Sequence, residues 1–208
     1  FSELLLDWYS LNKRDLPWRN TNNPYFIWLS EIILQQTRVE QGLPYYLKFI
    51  KVFPTVTDLA TAKQDQVLKL WQGLGYYSRA RNLHLSAKYI VQHYDGVFPK
   101  KYNEILKLKG VGTYTAAAIS SFSFGLQYAV VDGNVIRVLS RVFGIETPCD
   151  TTLGKKKYQD LAQDLLDKKN PSENNQAIME FGAVQCTYKL PKCSSCIFVS
   201  DCVAYNTH

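Results

Sequence analysis

Residues 102–124 read YNEILKLKGVGTYTAAAISSFSF, a pattern of two helices joined by a turn built on glycine. The first helix is short, 102–106. Leu108-Lys109-Gly110-Val111-Gly112 then separates it from a second helix that starts near Thr113 and ends at Phe124. Two glycines flanking one aliphatic residue permit a tight turn with φ above zero, and Val111 can point inward to tie the helices together. The turn delivers the chain to a helix N-terminus, where free backbone N–H groups and the helix dipole suit a phosphate oxygen. Gly110, Val111 and Gly112 are therefore expected to hold a phosphate, although Gly-x-Gly alone also joins helix pairs that bind nothing.

Helical periodicity recurs on both sides of this hairpin and strand signals are scarce. The spacing predicts helices over 1–11, 25–36, 39–53, 57–60, 64–73, 78–94, 115–124, 133–143, 155–166 and 174–185, so the fold class is all-α. Leu16-Pro17-Trp18-Arg19 breaks the first of them. Asn23-Pro24 reads as an N-cap followed by proline at the first helical position. Asp132 opens a helix that Gly144 closes.

The 208 residues, 46% of them hydrophobic, suffice for one large domain or two small ones with a proper core. No run approaches the length of a membrane span, so the expectation is a soluble intracellular protein without a membrane partner, in the cytoplasm or nucleoid if its source is bacterial. A formal net charge of +6 favours a polyanionic partner without establishing one.

Four of the five cysteines crowd together as Cys186-x6-Cys193-x2-Cys196-x5-Cys202. An odd count with one tight cluster fits metal ligation better than a disulfide framework. Zinc sites often use two separated C-x2-C pairs, and here there is one such pair with longer arms. A cubane iron–sulfur cluster spreads its ligands more widely, which favours a cluster, with zinc as the alternative. Lys189 and Lys192 on the intervening loop are candidate phosphate contacts. Cys149, alone after Pro148, reads as a plain loop or core thiol.

Two carboxylates sit in unusual company. Glu31 lies inside Trp28-Leu29-Ser30-Glu31-Ile32-Ile33-Leu34, where burial would keep a proton available for general acid catalysis. A paired structural glutamate is the competing account. Asp132 in Val130-Val131-Asp132-Gly133-Asn134-Val135 is an N-cap that backbone N–H groups and the dipole would keep charged. One protonated and one ionised carboxylate suit a cationic transition state such as that of glycoside hydrolysis.

Together these residues resemble the helix-hairpin-helix DNA glycosylases with a Gly/Pro-rich loop and an aspartate. Within that superfamily the chain is similar to the catalytic domain of MutY-type adenine DNA glycosylases. The resemblance also rests on Leu16-Pro17-Trp18-Arg19, on Ser30-Glu31 through Gln35-Gln36-Thr37, and on Trp71 through Gly75-Tyr76-Tyr77-Ser78-Arg79-Ala80-Arg81-Asn82-Leu83. It implies a two-lobed fold: a central lobe, 24–130, with the hairpin, and a second lobe, 1–23 with 131–208, that carries a C-terminal [4Fe-4S] cluster on Cys186, Cys193, Cys196 and Cys202. It implies a monomer that bends duplex DNA holding an A:8-oxoguanine or A:G mispair and flips out the adenine. Glu31 would protonate adenine N7, Asp132 would stabilise the oxocarbenium sugar, and Tyr114 would assist at the sugar. Gln36, Thr37, Leu74 and Tyr76 would surround the orphaned 8-oxoguanine, with Tyr76 as the wedge. Trp18, Arg19 and Gln176 would line the adenine pocket.

The same resemblance separates subtypes. Endonuclease III-like relatives carry lysine where Tyr114 stands and form a Schiff base with it, so Tyr114 implies a monofunctional hydrolase. A thymine mismatch glycosylase also carries tyrosine there but differs in the Glu31 helix. The alternatives are those two activities, or a non-catalytic, cluster-bearing DNA-binding module. Six residues follow Cys202. The domain with which such enzymes usually read 8-oxoguanine is not among them, which leaves the preference for 8-oxoguanine:A over G:A open.

Overall fold

The computed structural model describes residues 1–207, and every regular element among them is helical. In chain order these are α1 (Ser2–Asn12), α2 (Pro24–Leu34), α3 (Val39–Val52), α4 (Val56–Thr61), α5 (Gln64–Trp71), α6 (Ser78–Tyr94), α7 (Tyr102–Ile105), α8 (Thr113–Phe124), α9 (Gly133–Phe143), α10 (Thr152–Asp164), α11 (Pro171–Val184) and α12 (Val203–Asn206), with 3-10 turns at Pro17–Arg19 and Cys193–Ser195. No helix of the described residues is long and apolar enough to cross a membrane. The chain forms two compact units. An inserted unit spans Leu16–Phe124, and a terminal unit combines Phe1–Asp15 with the chain from Gly125 onward.

The inserted unit is built around α2. Asn23 caps this helix by accepting a hydrogen bond from the Tyr25 N–H at 2.9 Å, and Pro24 occupies a first position that needs no donor. Ile27, Trp28, Leu29, Ile32 and Ile33 are all buried, so the helix is covered on most sides. It packs against α3, α6 and α8. Trp28 meets Phe98 at 5.6 Å between ring centroids, and Phe49 meets Trp71 edge-on at 5.8 Å. Trp18 belongs to this unit because its ring stands edge-on to Tyr46 at 5.2 Å.

In the terminal unit, α9 buries Val135, Val138, Leu139 and Val142 on one stripe and packs on α11, which in turn packs on α1. The α9–α11 approach is close. A Cβ on Gly182 would lie 2.8 Å from the Asn134 carbonyl oxygen, so only glycine fits there. Trp8 meets Phe181 edge-on at 4.9 Å. At the end of α1 the chain is pinned by charge. The Arg14 guanidinium donates to both oxygens of the fully buried Glu180 at 2.7 Å, and the Arg14 backbone N–H adds a bond at 3.0 Å.

Several helix ends differ from the periodic reading for identifiable reasons. Helix α2 stops at Leu34 rather than residue 36, because Gln36 takes a left-handed φ of 55°. Helix α8 begins at Thr113, as the glycine hairpin implies, two residues ahead of the apolar pattern that opens at residue 115. Helix α10 begins at Thr152, where the Thr151 hydroxyl caps the Gly154 N–H at 3.0 Å. Helix α11 begins at Pro171, a residue suited to the first turn. Cys149 is exposed.

His84 of α6 is buried in the inserted unit. Burial pulls its pKa below 6.5, Lys88 pulls the same way, and the Ala62 and Ala60 carbonyls draw it partly back. The folded state therefore favours neutral imidazole. Stability from this site is complete above the unfolded value of about 6.5 and is lost as pH falls below it. Urea unfolding at several pH values between 7.5 and 5 should show this loss, limited to roughly 1.4 kcal/mol per pH unit. The His84→Gln variant should show a shallower decline. An equal decline in both proteins would contradict the assignment.

Candidate functional site

In the inserted unit two segments that carry candidate residues meet at one buried cation. Helix α2 ends with carbonyl groups that have no partner within the helix. The Arg79 guanidinium, entering from the first turn of α6, takes them up. Its Nη1 donates to the carbonyls of Ile33 at 2.9 Å and Ile32 at 3.3 Å, to the Gln35 carbonyl, and to the Thr37 hydroxyl at 3.2 Å. Its Nη2 donates to the carbonyls of Leu74 at 3.2 Å and Gly75 at 3.5 Å. The same group lies over the Trp71 ring at 5.1 Å and the Tyr76 ring at 5.7 Å. A positive charge here also opposes the negative end of the α2 dipole.

This one side chain holds together two segments from which the sequence reading drew a set of base contacts. Gln36 is exposed and Thr37 half-buried on the first segment. On the second, Tyr76 is 66% exposed with a left-handed φ of 45°, while the Leu74 side chain is buried in the core. Tyr76 thus projects from a tethered loop. Local sequence assigns Arg79 no role. Its one signal was a guanidinium on the side of α6 that also carries the buried Leu83 and Ala87.

Glu31 lies half-buried one turn before the end of α2. Tyr114 is half-buried in the first turn of α8, and Trp18 and Arg19 are half-buried on the 3-10 turn. In the hairpin, Gly110 has φ 79°, and a Cβ there would press against Asn82 at 3.1 Å. The Val111 N–H donates to the Leu108 carbonyl at 3.1 Å, and the valine side chain enters the core. Ser86 of α6 anchors the turn through the Lys109 carbonyl at 3.1 Å. A Cβ on Gly112 would meet nothing within 4 Å. The face beside the α8 N-terminus is therefore open, as an anion at that helix end requires.

In the terminal unit Asp132 caps α9. Its Oδ1 accepts from the Val135 N–H at 2.8 Å and its Oδ2 from the Asn134 side-chain amide at 2.9 Å, so both oxygens are oriented. Asn134 Oδ1 in turn accepts from Arg137 Nη2 at 2.7 Å. Arg137 goes on to donate to the Gly182 carbonyl at 2.6 Å and the Cys186 carbonyl at 2.8 Å. Gln176 of α11 accepts from the Tyr9 hydroxyl at 3.2 Å.

Cys186, Cys193, Cys196 and Cys202 line one cavity of about 180 Å³ together with Arg141, Val142, Phe181 and Gln185. Arg141 holds its mouth, donating to the Thr187 carbonyl at 2.7 Å and the Tyr188 carbonyl at 3.0 Å and lying 3.4 Å from Cys186 Sγ. The Phe198 N–H points at Cys196 Sγ at 3.4 Å. Burial pushes the Cys196 thiol up, and the other three cysteines add to the rise. Among the described residues, no three Cys, His, Asp or Glu side chains close on a point that would hold a single metal ion. Lys189 and Lys192 are exposed on the loop between the first two cysteines.

The family model HhH-GPD, described as a superfamily of base excision DNA repair proteins, matches residues 29–164. Among curated relatives, an adenine DNA glycosylase of Buchnera aphidicola (subsp. Acyrthosiphon pisum, strain APS) is 42% identical over 205 residues, covering 98% of this chain and 59% of the relative. That of Homo sapiens is 44% identical over 213 residues, covering 98% of this chain and 39% of the relative. The chain thus spans 59% or less of the length of these two curated relatives. Among solved structures, a thermostable thymine-DNA glycosylase superposes with a TM-score of 0.92 at 31% identity, covering 100% of this chain and 96% of that one. A non-covalent endonuclease III–DNA complex superposes with a TM-score of 0.82 at 20% identity, covering 99% and 94%, which is a likeness of fold.

Replacing Arg79 by lysine keeps the charge and removes the fork that reaches both segments. We expect Arg79→Lys to lose about 3 kcal/mol of stability in urea unfolding, because several buried carbonyls lose their donor at once. A change below about 0.5 kcal/mol, the range of an ordinary surface substitution, would contradict this role.

Proposed function

The chain belongs to the HhH-GPD superfamily of base excision DNA repair proteins, and on that footing we propose that it hydrolyses the N-glycosidic bond of adenine opposite 8-oxoguanine or guanine in duplex DNA. The observation that carries this reading is identity of 37–44% to adenine DNA glycosylases over nearly the whole chain. The chemistry follows from the leaving group. Adenine departs poorly as an anion, so a proton must reach the base as the bond breaks, while the sugar left behind becomes positively charged.

Glu31 supplies the proton at adenine N7, and its place on an apolar helix with a tethered end keeps it from wandering. Asp132 supplies the anion at the sugar. Its two hydrogen bonds aim both oxygens before the reaction and leave the second lone pair of each available. Tyr114 assists at the sugar and carries no amine for a Schiff base, which suits hydrolysis without backbone cleavage. Trp18, Arg19 and Gln176 receive the adenine. Tyr76 enters the base stack, and Gln36, Thr37 and the backbone at Leu74 face the orphaned base. Gly110, Val111 and Gly112 hold one backbone phosphate at the α8 N-terminus, and Lys189 and Lys192 add others.

The four cysteines would hold a [4Fe-4S] cluster. What supports this is the donor set: four thiols around a common cavity rather than around a point, with N–H groups of Phe198 and Arg141 directed at sulfur. Such a cluster would supply a rigid cross-link between the ends of the loop that carries Lys189 and Lys192. The purified protein should be brown and contain iron and acid-labile sulfide in equal amounts. A colourless protein with stoichiometric zinc would overturn the assignment.

One observation favours a second reading, removal of thymine from mispairs: the 0.92 superposition on a thymine-DNA glycosylase. Single-turnover base release on duplexes with A opposite 8-oxoguanine, G and C, and with T opposite G, separates the two. We expect release of A opposite 8-oxoguanine and G, and none of T. Glu31→Gln should lower the rate at least about 100-fold while duplex affinity is retained. Release of T in place of A, or full activity of Glu31→Gln, would refute the proposal.

A further inference from the structure

Asp132 is reached through residues 125–132, which have no regular secondary structure and, among the described residues, no strand to pair with. Buried backbone groups in such a segment still require partners. Side-chain amides provide them. Gln163 of α10 accepts from the Ala129 N–H at 2.9 Å and donates to the Gln127 carbonyl at 2.9 Å. Asn175 of α11 accepts from the Val130 N–H at 3.0 Å and donates to the Tyr128 carbonyl at 2.8 Å. Gln159 donates to the Ala129 carbonyl at 3.0 Å.

The pattern is that of a ladder. Residues 127 and 129 are read on one edge and 128 and 130 on the other, as two flanking strands would read them. Each amide grips an N–H and a carbonyl two residues apart, which fixes register as well as position. Asn175 is buried, as are Ala129 and Val130. Two residues beyond Val130 the chain arrives at Asp132. A slip of one residue in an extended segment turns every side chain to the opposite face, so the register at 127–130 bears on how the chain delivers Asp132 to the start of α9, where Val135 and Asn134 then orient its oxygens.

We propose that Gln163 and Asn175 are positioning residues for Asp132, two amide clamps that set the register of the segment delivering it. The proposal rests on the role given to Asp132 above. Gln163→Met keeps the side-chain length and removes both bonds, whereas Gln163→Glu keeps the acceptor for Ala129 and loses the donor to Gln127. Asn175→Ser probes the other edge. Gln163 is half-buried, so its variants keep the proposal testable if Asn175→Ser fails to fold.

Amide hydrogen exchange should quicken at Ala129 in Gln163→Met and at Val130 in Asn175→Ser. Single-turnover adenine release by Gln163→Met should fall about 10- to 100-fold, the scale of a small misplacement at a reacting centre, with duplex affinity unchanged and with Gln163→Glu falling less. Placed on Asp132→Asn, which retains an N-cap, the same substitution should cost nothing further of the residual rate. Unchanged exchange at these amides would overturn the clamps. An equal fold-loss on the Asp132→Asn background would overturn the positioning role. Full release by Asp132→Asn alone would remove the catalytic reading and the positioning role with it, and the exchange result separates that failure from a failure of the clamps themselves.

Discussion

A helix that ends inside a protein leaves carbonyl oxygens that water cannot reach, and something must donate to them. In the inserted unit that demand falls on Arg79. One planar guanidinium serves the last turn of α2, the Thr37 hydroxyl and the Leu74–Gly75 carbonyls, and it stacks near Trp71 and Tyr76. The consequences run outward from there. Helix α2 can stop at Leu34, Gln36 can adopt its left-handed turn, and the loop at 73–77 can carry an exposed tyrosine without being loose. An ammonium could supply the charge but not the fork.

The terminal unit solves a similar problem with different groups. Its irregular segments, residues 125–132 and the cysteine loop, are gripped by side chains from helices rather than by a sheet. Gln159, Gln163 and Asn175 hold the first. Arg137 and Arg141, one turn apart on α9, hold the second through the carbonyls of Cys186, Thr187 and Tyr188. Asn134 joins the two systems, since it donates to Asp132 and accepts from Arg137. The helices thus serve as rigid racks, and Asp132 and the four cysteines stand at a helix end or on segments that the racks hold. Amides and guanidinia suit this work because each offers donors in a fixed geometry.

Long-range polar bonds of this kind also explain an isolated buried charge. Glu180 is fully buried, and its bidentate partner Arg14 lies at the end of α1. Burying that carboxylate costs energy that the ion pair must offset. In return it fixes where α1 ends on α11, just before the chain passes from one unit to the other. Gln176 stands one turn earlier on α11 and meets Tyr9 of α1, so the two contacts lock the pair of helices in rotation as well as in distance.

Much of this architecture was legible in local sequence. The caps at Asn23 and Asp132, the stop at Gly144, the hairpin at Gly110 and the full extents of α6 and α9 could be read because each depends on bonds between residues a few positions apart. Cysteine spacing likewise brought four thiols within reach of one another, and they line one cavity. The tertiary structure alone decided where α2 ends, which segments Arg79 joins, and what holds residues 127–130. Apart from the Arg79 bonds to the nearby Leu74 and Gly75 carbonyls, those bonds link side chains to backbone groups 30 to 47 positions away, and the pairing of Arg14 with Glu180 spans 166. Nothing in an arginine or a glutamine at one position names its distant carbonyl. Local pattern reports hydrogen bonds closed within a turn, whereas a polar side chain can satisfy any backbone group that folding brings within reach.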